Sequence, residues 1–342
     1  MHLIELQKKF NTHEKCIKHL EKVRWKGEPV CPHCQSYSVT PRALIKKSNR
    51  GRKRKNPPIT RKTPMYHCNT CNKDFTVLMK TIFEGSKMPL PKWFALIVLM
   101  LNAKKGVSAK QISRDLDITY KSAWYGAMRV RCAMLDQADM LEGIVEMDEV
   151  YIGGKPRNRN NSENNKPTLI NVASKRGKGT DKIPVVGIVE RSGKKRVVTK
   201  IEENLTTEKL LAMLKRYVKM DSAIVMTDDY RGYKQFDNYI QHLSINHSKK
   251  QYVDGIIHTN TIEGFWSIVK NGIRGQYHAL SKKYLPFYLA EFSYKYNRRE
   301  KKKEDNFNET IKNTISDEKC QVKYKPKAYP KFLAYKRKKK KV

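Results

Sequence analysis

Acidic residues are scarce in this sequence of 342 residues. Its 33 Asp and Glu residues are outnumbered by 71 Lys and Arg, which leaves a formal net charge of +38 at pH 7. A field of that sign attracts polyanions and repels other copies of the chain. Nucleic acid is therefore the leading candidate partner, and an anionic membrane surface is the second.

Long apolar runs are also missing. The longest, WFALIVLML at 93–101, has about half the length that spans a bilayer. The first residues, MHLIELQKKFNTHEK, contain no apolar stretch of the kind that marks a signal peptide. We therefore expect a protein of the cytoplasm without a membrane partner.

Cysteine is sparse, and seven cysteines, an odd number without a secretion signal, argue against a disulfide framework. Four of them form two C-x-x-C pairs, CPHC and CNTC. Four thiolates fill a tetrahedral zinc site and leave no open position, so the metal would be structural. The predicted ligands of one Zn²⁺ are Cys31, Cys34, Cys68 and Cys71. His33 and His67 are weaker candidates, because using either would break the paired spacing.

The segment between the two cysteine pairs, 35–67, contains no acid at all. It is longer than the usual zinc-ribbon connection and includes KKSNRGRKRKNPPITRK, which carries too much charge to pack into a core. We predict a flexible basic arm that follows DNA phosphates, with Lys53, Arg54 and Lys55 among its contacts. A solvated loop without a binding role is the alternative.

Residues 106–131, GVSAKQISRDLDITYKSAWYGAMRVR, have the pattern of a helix-turn-helix. Ser108 and Gln111 predict a capping box at the start of the first helix, and Thr119 can cap the second after the turn DIT. Residues early in the second helix of such a unit face base edges in the major groove. The predicted DNA contacts are Tyr120, Lys121, Arg129 and Arg131. Similar helix pairs also occur in helical cores that bind nothing, and the pattern alone leaves that alternative open.

From Gly143 onward the sequence changes to runs rich in Val and Ile. They predict strands at 143–152, 184–190, 196–202 and 223–227, with helices at 206–219, 259–271 and 281–299. The predicted fold class is multidomain α+β. Its parts are a helical segment 1–28, a zinc ribbon with a basic insertion 29–80, a helix-turn-helix 88–137, a mixed sheet flanked by helices 141–300, and a disordered basic tail 301–342.

Three acids interrupt the first of these strands, Glu146, Asp148 and Glu149 in the run GIVEMDEVYIGGK. Asp228 ends a later apolar strand, and Glu263 lies in the first turn of a helix. Singly, such residues are ordinary strand-end or helix-dipole residues. Together they resemble the carboxylates from separate elements that hold two Mg²⁺ or Mn²⁺ ions about 4 Å apart for phosphodiester cleavage.

Strand alternation distinguishes the three neighbouring acids. Glu146 and Asp148 share one face and Glu149 points away, which makes Glu146 a candidate supporter of the site and Glu149 a structural residue. Lys270 lies two helical turns beyond Glu263 and so on the same helix face. Its ammonium is placed to hold DNA near the metals.

These motifs resemble those of the DDE transposases of bacterial insertion sequences, which join an N-terminal zinc ribbon and helix-turn-helix to a ribonuclease-H-like catalytic domain. The resemblance covers about residues 5–300. It rests on CPHC, CNTC followed by FTVLMKTIFEGSKMPLPKW, MDEVYIGGK, TDDYRGY, HTNTIEGFWSIVKNGIRGQYH and EFSYKYNRR. The long basic insertion and the basic tail depart from the family pattern.

The resemblance also implies site residues. The implied metal-binding triad is Asp148, Asp228 and Glu263, with Lys270 as the accompanying basic residue. Asn260 remains an alternative third ligand, because some relatives carry Asn in that place. Asp229 is less favoured than Asp228, because the motif places its acid directly after the threonine.

By the same resemblance, the chain is an enzyme that binds the terminal inverted repeats of its own element. It would cut the ends with metal-activated water and join the 3′ hydroxyls to target DNA. Its cofactors would be two Mg²⁺ or Mn²⁺ ions and one Zn²⁺, and its partners double-stranded DNA and further copies of itself at the nucleoid. Two alternatives remain, a DNA-binding regulator with an inactive catalytic domain and a metal-dependent nuclease that does not join strands.

Overall fold

A computed structural model describes seven segments of the chain, 1–42, 63–135, 140–153, 182–202, 204–245, 258–278 and 280–315. The predicted arm contacts Lys53, Arg54 and Lys55 and the tail from 316 onward lie outside the described residues. The chain divides into two compact units. Met1–Asp136 and Glu300–Val342 form one, here called the terminal unit, and Gln137–Arg299 forms the central unit.

The helices of the described segments are, in chain order, α1 (Leu3–Lys9), α2 (His13–Trp25), α3 (Leu90–Asn102), α4 (Ala109–Asp115), α5 (Tyr120–Ala133), α6 (Thr207–Tyr217), α7 (Asn260–Gly272), α8 (Leu285–Asn297) and α9 (Lys303–Ile315). The strands are β1 (Val39–Arg42), β2 (Met65–Cys68), β3 (Lys73–Phe75), β4 (Leu141–Ile152), β5 (Ile183–Glu190), β6 (Val197–Ile201), β7 (Val218–Asp228) and β8 (Gln241–Ile245). A π-helical turn, Ile273–Tyr277, continues α7. None of these helices has the length and apolar character needed to cross a membrane.

A three-stranded antiparallel sheet in the order β1-β2-β3 forms the ribbon of the terminal unit. Its register places Val39 opposite Cys68. Trp25, the last residue of α2, packs edge-on against Tyr66 and Phe75 of the sheet, with ring centroids 5.0 and 6.0 Å away. So small a sheet cannot bury a core alone, and the aromatic side chain of α2 supplies part of it.

The prediction of a disordered tail is wrong for its first part, which forms α9 in the terminal unit. Phe307 of α9 packs against Phe10 and Phe94, with ring centroids 6.1 and 5.7 Å apart. The surrounding charges conceal the apolar spacing of this helix, in which buried Phe307 and Ile311 are about one turn apart. The terminal unit is therefore built from the chain segments that precede and follow the central unit in the sequence.

The central unit is built on a five-stranded sheet in the order β6-β5-β4-β7-β8. The β4–β5 and β5–β6 pairs are antiparallel, whereas β4–β7 and β7–β8 are parallel. This mixed sheet with flanking helices confirms the predicted fold class, and its order is that of a ribonuclease-H-like sheet. All four predicted strands are present. The fifth, β8, was not predicted, since its sequence QHLSI is short and largely polar.

Helix α6 covers one face of this sheet, and α7 and α8 cover the other. Val145 and Met147 of β4 share a buried cluster with Leu214 of α6, whereas Val150 shares a second cluster with Trp266 of α7. Alternate β4 side chains thus enter different clusters. Each large apolar side chain contributes roughly 1.5–3 kcal/mol when buried, so the two clusters together determine which face each β4 residue presents.

The side chain of Asn297 fastens α8 to the edge strand β6. Its Oδ1 accepts the Val197 N–H at 2.7 Å, and its Nδ2 donates to the Val197 carbonyl at 3.0 Å. In the same helix, buried Glu291 accepts hydrogen bonds from Tyr277 at 3.1 Å and from Lys295 at 2.8 Å. Within the motif EFSYKYNRR, Asn297 therefore holds α8 against the sheet, and Glu291 connects α8 to the π-helical turn after α7.

Candidate metal and DNA sites

The four predicted zinc ligands lie together beside the ribbon. Their Sγ atoms are all within 4.8 Å of one another, with Cys31 and Cys71 3.7 Å apart and Cys34 and Cys68 3.5 Å apart. A tetrahedron with Zn–S bonds of about 2.3 Å has edges of about 3.8 Å. The arrangement of the thiols therefore fits a closed zinc site, as predicted.

Backbone N–H groups of the two knuckle turns point at the sulfur atoms. The His33 N–H donates to Cys31 Sγ at 3.4 Å, and the backbone N–H of Cys71 is the largest cause that lowers the pKa of the Cys68 thiol to about 6. The imidazole of His67 is engaged elsewhere, with Nδ1 2.8 Å from an Asp74 carboxylate oxygen. Neither histidine belongs to the converging group, which favours the four-thiol site over the histidine alternatives.

Helices α4 and α5 form the predicted helix-turn-helix, and both predicted caps are present. Ser108 Oγ accepts the Gln111 N–H at 3.2 Å, and Thr119 Oγ1 accepts the Ser122 N–H at 3.3 Å. The Gln111 side chain donates instead to Asp115, at 2.5 Å. The predicted capping box is therefore half formed, and the two helices begin where the sequence places them.

Two of the four predicted DNA contacts in α5 are available at the surface. Tyr120 is 51% exposed, and Lys121 beside it is exposed. The Lys110 ammonium lies 5.8 Å from the Tyr120 ring. The start of α5 thus exposes a tyrosine and a lysine, two side-chain types that contact DNA phosphates in known complexes.

The other two predicted contacts need correction. Arg131 is only 2% exposed, so the prediction that it contacts DNA is wrong, because the helix turns this side chain into the core. Arg129 is half-buried, and its guanidinium donates to the carbonyls of Ile82 and Glu84 at 2.6 and 2.8 Å. Arg129 therefore connects α5 to the chain segment that follows the ribbon. The predicted ribbon and helix-turn-helix domains belong to one compact unit.

Asp148 and Asp228 come from neighbouring parallel strands. The register pairs Glu146 of β4 with Met226 of β7, so two residues further along both strands Asp148 stands beside Asp228. Adjacent strands are about 4.8 Å apart, and side chains alternate with a period of two along each strand. The two carboxylates therefore emerge side by side on the face of the sheet that α7 covers.

Glu149 points to the opposite face, as predicted. Its carboxylate accepts the Tyr233 hydroxyl at 2.7 Å, and Tyr233 is a buried member of the cluster under α6. Burial, followed by the charge of Glu149, raises the pKa of Tyr233 well above its ordinary value. Glu149 thus accepts the hydrogen bond of a buried tyrosine hydroxyl, which is the structural role expected of it.

The pKa of Asp148 shows that the acids are close neighbours. Burial first, then the negative charges of Glu149 and Asp228 and, more weakly, Glu263, raise the pKa of this carboxyl from 3.8 to about 7. A cation among these groups would relieve the repulsion and displace the proton. Because the donors are all carboxylate oxygens, the set fits Mg²⁺ or Mn²⁺ better than a soft metal.

Glu263 is exposed in the first turn of α7, where the Thr259 hydroxyl donates to its Oε1 at 3.1 Å. Lys270 is exposed on the same face of the helix. Asn260, the alternative third ligand, is exposed at the first residue of α7, and Asp229, the alternative acid after β7, is exposed as well. The favoured residues and both alternatives are thus accessible.

The two metal-binding sets differ in how far their ligand atoms converge. In the part of the chain that the structure describes, the four thiols form the converging group of three or more His, Cys, Asp or Glu side chains. The charges of Asp228 and Glu263 contribute to the raised pKa of Asp148, but the carboxylates are not drawn together to that degree. Mutual repulsion of like charges accounts for the difference.

A buried network behind the acidic site was not predicted from the sequence. Glu146 is fully buried, its Oε2 accepts the Ile262 N–H at 2.9 Å, and its Oε1 is paired with Arg191 Nε. Arg191 in turn donates to the His258 carbonyl. Glu146 lies on the Asp148 face, as expected of a residue that supports the site, but an arginine in the hairpin after β5 carries no local sequence signal.

Gly187 was also missed, although a glycine inside an apolar strand signals close approach of another backbone or side chain. It lies opposite Asp148 in the β4–β5 register. A Cβ at this position would lie 2.6 Å from Trp266 Cζ2 and 3.0 Å from Ile262 Cδ1. Glycine therefore allows α7 to lie close against the sheet, which brings Glu263 near the strand acids.

Two family models match the chain. The transposase zinc-ribbon domain matches residues 11–74, and the ISXO2-like transposase domain, of the DDE transposases of the IS1595 group, matches residues 140–297. The uncharacterized protein in transposable element ISH50 of Halobacterium salinarum is 27% identical over 290 residues, which cover 83% of this chain and 91% of that protein.

A solved structure with weak similarity is the crystal structure of the Mos1 strand transfer complex. It is 12% identical, and the match covers 71% of this chain and 77% of that chain at a TM-score of 0.28. A TM-score so low does not establish a shared fold.

The two matched domains define the class of protein, a transposase of an insertion sequence. More particularly, the chain belongs to the DDE transposases, and its two matched domains are those of the IS1595 group.

Proposed function

We propose that this chain is an active transposase, which cuts the ends of its element and joins them to target DNA. The observation that carries the proposal is the parallel β4–β7 register, which pairs Glu146 with Met226 and, two residues further along, puts Asp148 next to Asp228. Both acids lie inside the region that matches the transposase domain. Glu263 of α7 adds a third carboxylate from a third element. A regulator with an inactive catalytic domain would not need this set.

Two Mg²⁺ or Mn²⁺ ions, when bound, would activate water or a 3′ hydroxyl and stabilise charge on the leaving oxygen. Asp148, Asp228 and Glu263 would hold them through carboxylate oxygens. Asp148, whose pKa is raised to about 7, must lose its proton to act as a ligand, so metal affinity should rise with pH through that range. The Thr259 hydroxyl orients the Glu263 carboxylate for the same task.

The exposed face of α7 is the surface on which we place the DNA strand that reacts. Lys270 is exposed there, and Arg274 in the π-helical turn is exposed one turn further on. Neither cation has an ion pair within the described residues. Both therefore remain available to contact phosphates next to the acids.

The terminal unit would bind the inverted repeats at the ends of the element. Tyr120 and Lys121 at the start of α5 are the proposed major-groove contacts, and the basic arm would follow phosphates. One structural Zn²⁺ would hold the ribbon together. Because two DNA ends must be joined, the working form would contain at least two copies of the chain, acting at the nucleoid in the cytoplasm.

The test is to incubate the full chain with DNA that carries the ends of its own element, in Mg²⁺ or Mn²⁺, and to size the products. We expect end cleavage and joined products from the unmodified protein. The variants Asp148→Asn, Asp228→Asn and Glu263→Gln should bind the DNA but neither cut nor join it. Asp229→Asn is the matched control, since that exposed acid is the neighbour of a proposed ligand.

Each departure from this result has a meaning. Cleavage without joining would leave a metal-dependent nuclease, and specific binding without cleavage would leave the regulator. If Glu263→Gln remains active while Asn260→Ala does not, the third ligand is Asn260. Activity in all three acid variants would overturn the proposal.

A further inference from the structure

Glu146 is an unusual acid for this basic protein, because it is fully buried beside the acidic site. Both of its oxygens are engaged by groups from elsewhere in the chain. Oε1 is paired with Arg191 Nε, and His258 Nδ1 lies 3.4 Å from it, while Oε2 accepts the Ile262 N–H at 2.9 Å. A carboxylate held in this way is not free to bind a cation.

The bond to Ile262 has a specific consequence for α7. The first four N–H groups of a helix have no partner within the helix, and a carboxylate placed there is stabilised by the helix dipole. Ile262 lies in the first turn of α7, so strand β4 caps this helix with the side chain of Glu146. Glu263 is the next residue on α7, and Asp148 is the next β4 residue on the face of Glu146.

Arg191 connects Glu146 to the chain just before α7. Its backbone N–H donates to the Ile144 carbonyl at 2.9 Å, which ties it to β4. Its guanidinium is paired with Glu146 and also donates to the carbonyl of His258, the residue that precedes the N-cap of α7. One planar side chain thus binds a strand acid and the entry of the helix at the same time.

From these contacts we propose that Arg191 and Glu146 are positioning residues, which set the separation of Glu263 from Asp148 and thereby the affinity of the site for its cations. This inference rests on the proposed function. It does not make either residue a ligand. Partners of this kind, which orient the ligands from behind, typically change metal affinity or activity roughly 10- to 100-fold when they are lost.

The same hairpin offers a matched control. Glu190 is 1% exposed and is paired with Arg196 at 3.3 Å. Arg196 also donates to the Met140 carbonyl at 2.8 Å, and Glu190 accepts the Glu142 N–H at 3.3 Å. This is a second Arg–Glu pair, formed between the last residue of β5 and the residue before β6, and none of these contacts reaches α7.

The experiment compares Arg191→Ala and Arg191→Lys with Arg196→Ala and Arg196→Lys in the full chain. The first measurement is the Mg²⁺ concentration that gives half-maximal end cleavage. The second is made without added Mg²⁺ and follows hydrogen exchange of the backbone amides of residues 260–264. For Arg191→Ala we expect the Mg²⁺ requirement to rise roughly 10- to 100-fold and these amides to exchange faster.

Arg191→Lys should lie between the unmodified protein and Arg191→Ala, because one ammonium cannot reproduce the planar fork. Both Arg196 variants should leave the Mg²⁺ requirement and the α7 amides unchanged. An unchanged Mg²⁺ requirement in Arg191→Ala, or an equal rise in Arg196→Ala, overturns the inference. If Arg191→Ala does not fold, Arg191→Lys decides by the same criterion.

Failure of the proposed function can be told apart from failure of this inference. If the unmodified protein cleaves no DNA, the proposed function fails. The positioning role of Arg191 is then tested by hydrogen exchange alone. Faster exchange at 260–264 in the Arg191 variants but not in the Arg196 variants supports the positioning role. Equal exchange in the two pairs of variants refutes it.

Discussion

The four-cysteine site of the terminal unit and the acidic site of the central unit are assembled in different ways. The four thiols come from two short turns beside one small sheet, and their sulfur atoms converge within 4.8 Å. The carboxylates come from β4, β7 and α7, which are far apart in the sequence. They are brought together only when the five-stranded sheet and its covering helix have formed.

This difference predicts opposite energetic roles. A closed thiol site contributes its binding free energy to folding, because the unfolded chain offers no such site. An open cluster of carboxylates destabilises the folded state, because burial and like charges disfavour ionised Asp148, whose pKa is raised to about 7. The predictions below test this contrast between the two units.

The largest expected effect is the loss of the zinc site. Cys68→Ser should remove the bound zinc and with it roughly 10 kcal/mol of metal-linked folding free energy from the ribbon. Zinc content per chain by elemental analysis and thermal unfolding measure this. Cys16→Ala is the control, since buried Cys16 lies outside the converging group. Retention of zinc by the Cys68 variant would show that the ligands are other groups.

The next effect concerns the close contact between α7 and the sheet. Gly187→Ala places a Cβ 2.6 Å from Trp266 Cζ2, and overpacking of this kind costs about 1–3 kcal/mol. We expect lower stability in urea unfolding together with reduced end cleavage, since α7 carries Glu263.

The stability control for that variant is Gly264→Ala on α7, where a Cβ would meet nothing within 4 Å. Alanine is favoured over glycine inside a helix by up to about 1 kcal/mol, so this variant should be slightly more stable than the unmodified protein. A Gly187 variant that unfolds at the same urea concentration as the unmodified protein would show that the contact relaxes at no cost.

Asp148→Asn should stabilise the protein without added metal. The pKa of Asp148 is about 7 in the folded state against an ordinary 3.8, so the folded state binds the proton more tightly than the unfolded state. The cost of ionising Asp148 is therefore absent below about pH 4, grows as the pH rises toward 7, and is complete above it. The full shift corresponds to about 4 kcal/mol, and because Asp148 is only half-buried, solvent screening should reduce the gain at pH 8 to on the order of 2 kcal/mol.

Urea unfolding at pH 4 and pH 8 measures this gain, with Asp229→Asn as the control that should show no comparable pH dependence. Addition of Mg²⁺ should reverse the order, because cation binding stabilises the unmodified protein and not the variant. Equal stability of the two proteins at both pH values would mean that the acids do not repel each other in the folded state.

The smallest effect is expected at the start of α5. Lys121→Ala should reduce the slope of log affinity for element ends against log salt by about 0.9, the contribution of one phosphate contact. Lys18→Ala is the control, because that exposed lysine is already paired with Glu14 at 2.9 Å. A slope equal to that of the unmodified protein would remove Lys121 from the DNA contacts.

Local signals in the sequence predicted the elements well. The caps at Ser108 and Thr119 placed α4 and α5, the C-x-x-C pairs placed the thiol site, and alternation in β4 correctly separated Asp148 from Glu149. The caps, each single C-x-x-C pair and the strand alternation are patterns of residues within a few positions of one another. They are readable because local backbone geometry decides them.

Features that depend on partners distant in sequence were not predicted. Arg131 was taken for a DNA contact because the charge of a residue does not show which face of a helix packs. Helix α9 was taken for a disordered tail because its lysines conceal Phe307, which needs Phe10 and Phe94 as partners. Arg191, in the hairpin after β5, has its proposed role only through Glu146 of β4.

The sequence alone therefore determined the chemistry available to this protein: four thiols in two knuckles, a few acids in apolar strands, and a large positive charge for polyanions. Only the tertiary structure decided which of these groups act together. Strand register brings Asp148 beside Asp228, and the close contact at Gly187 brings α7 to them. The physical reason is that a carboxylate cluster is held against its own repulsion by packing over the whole sheet, and no short stretch of sequence contains that packing.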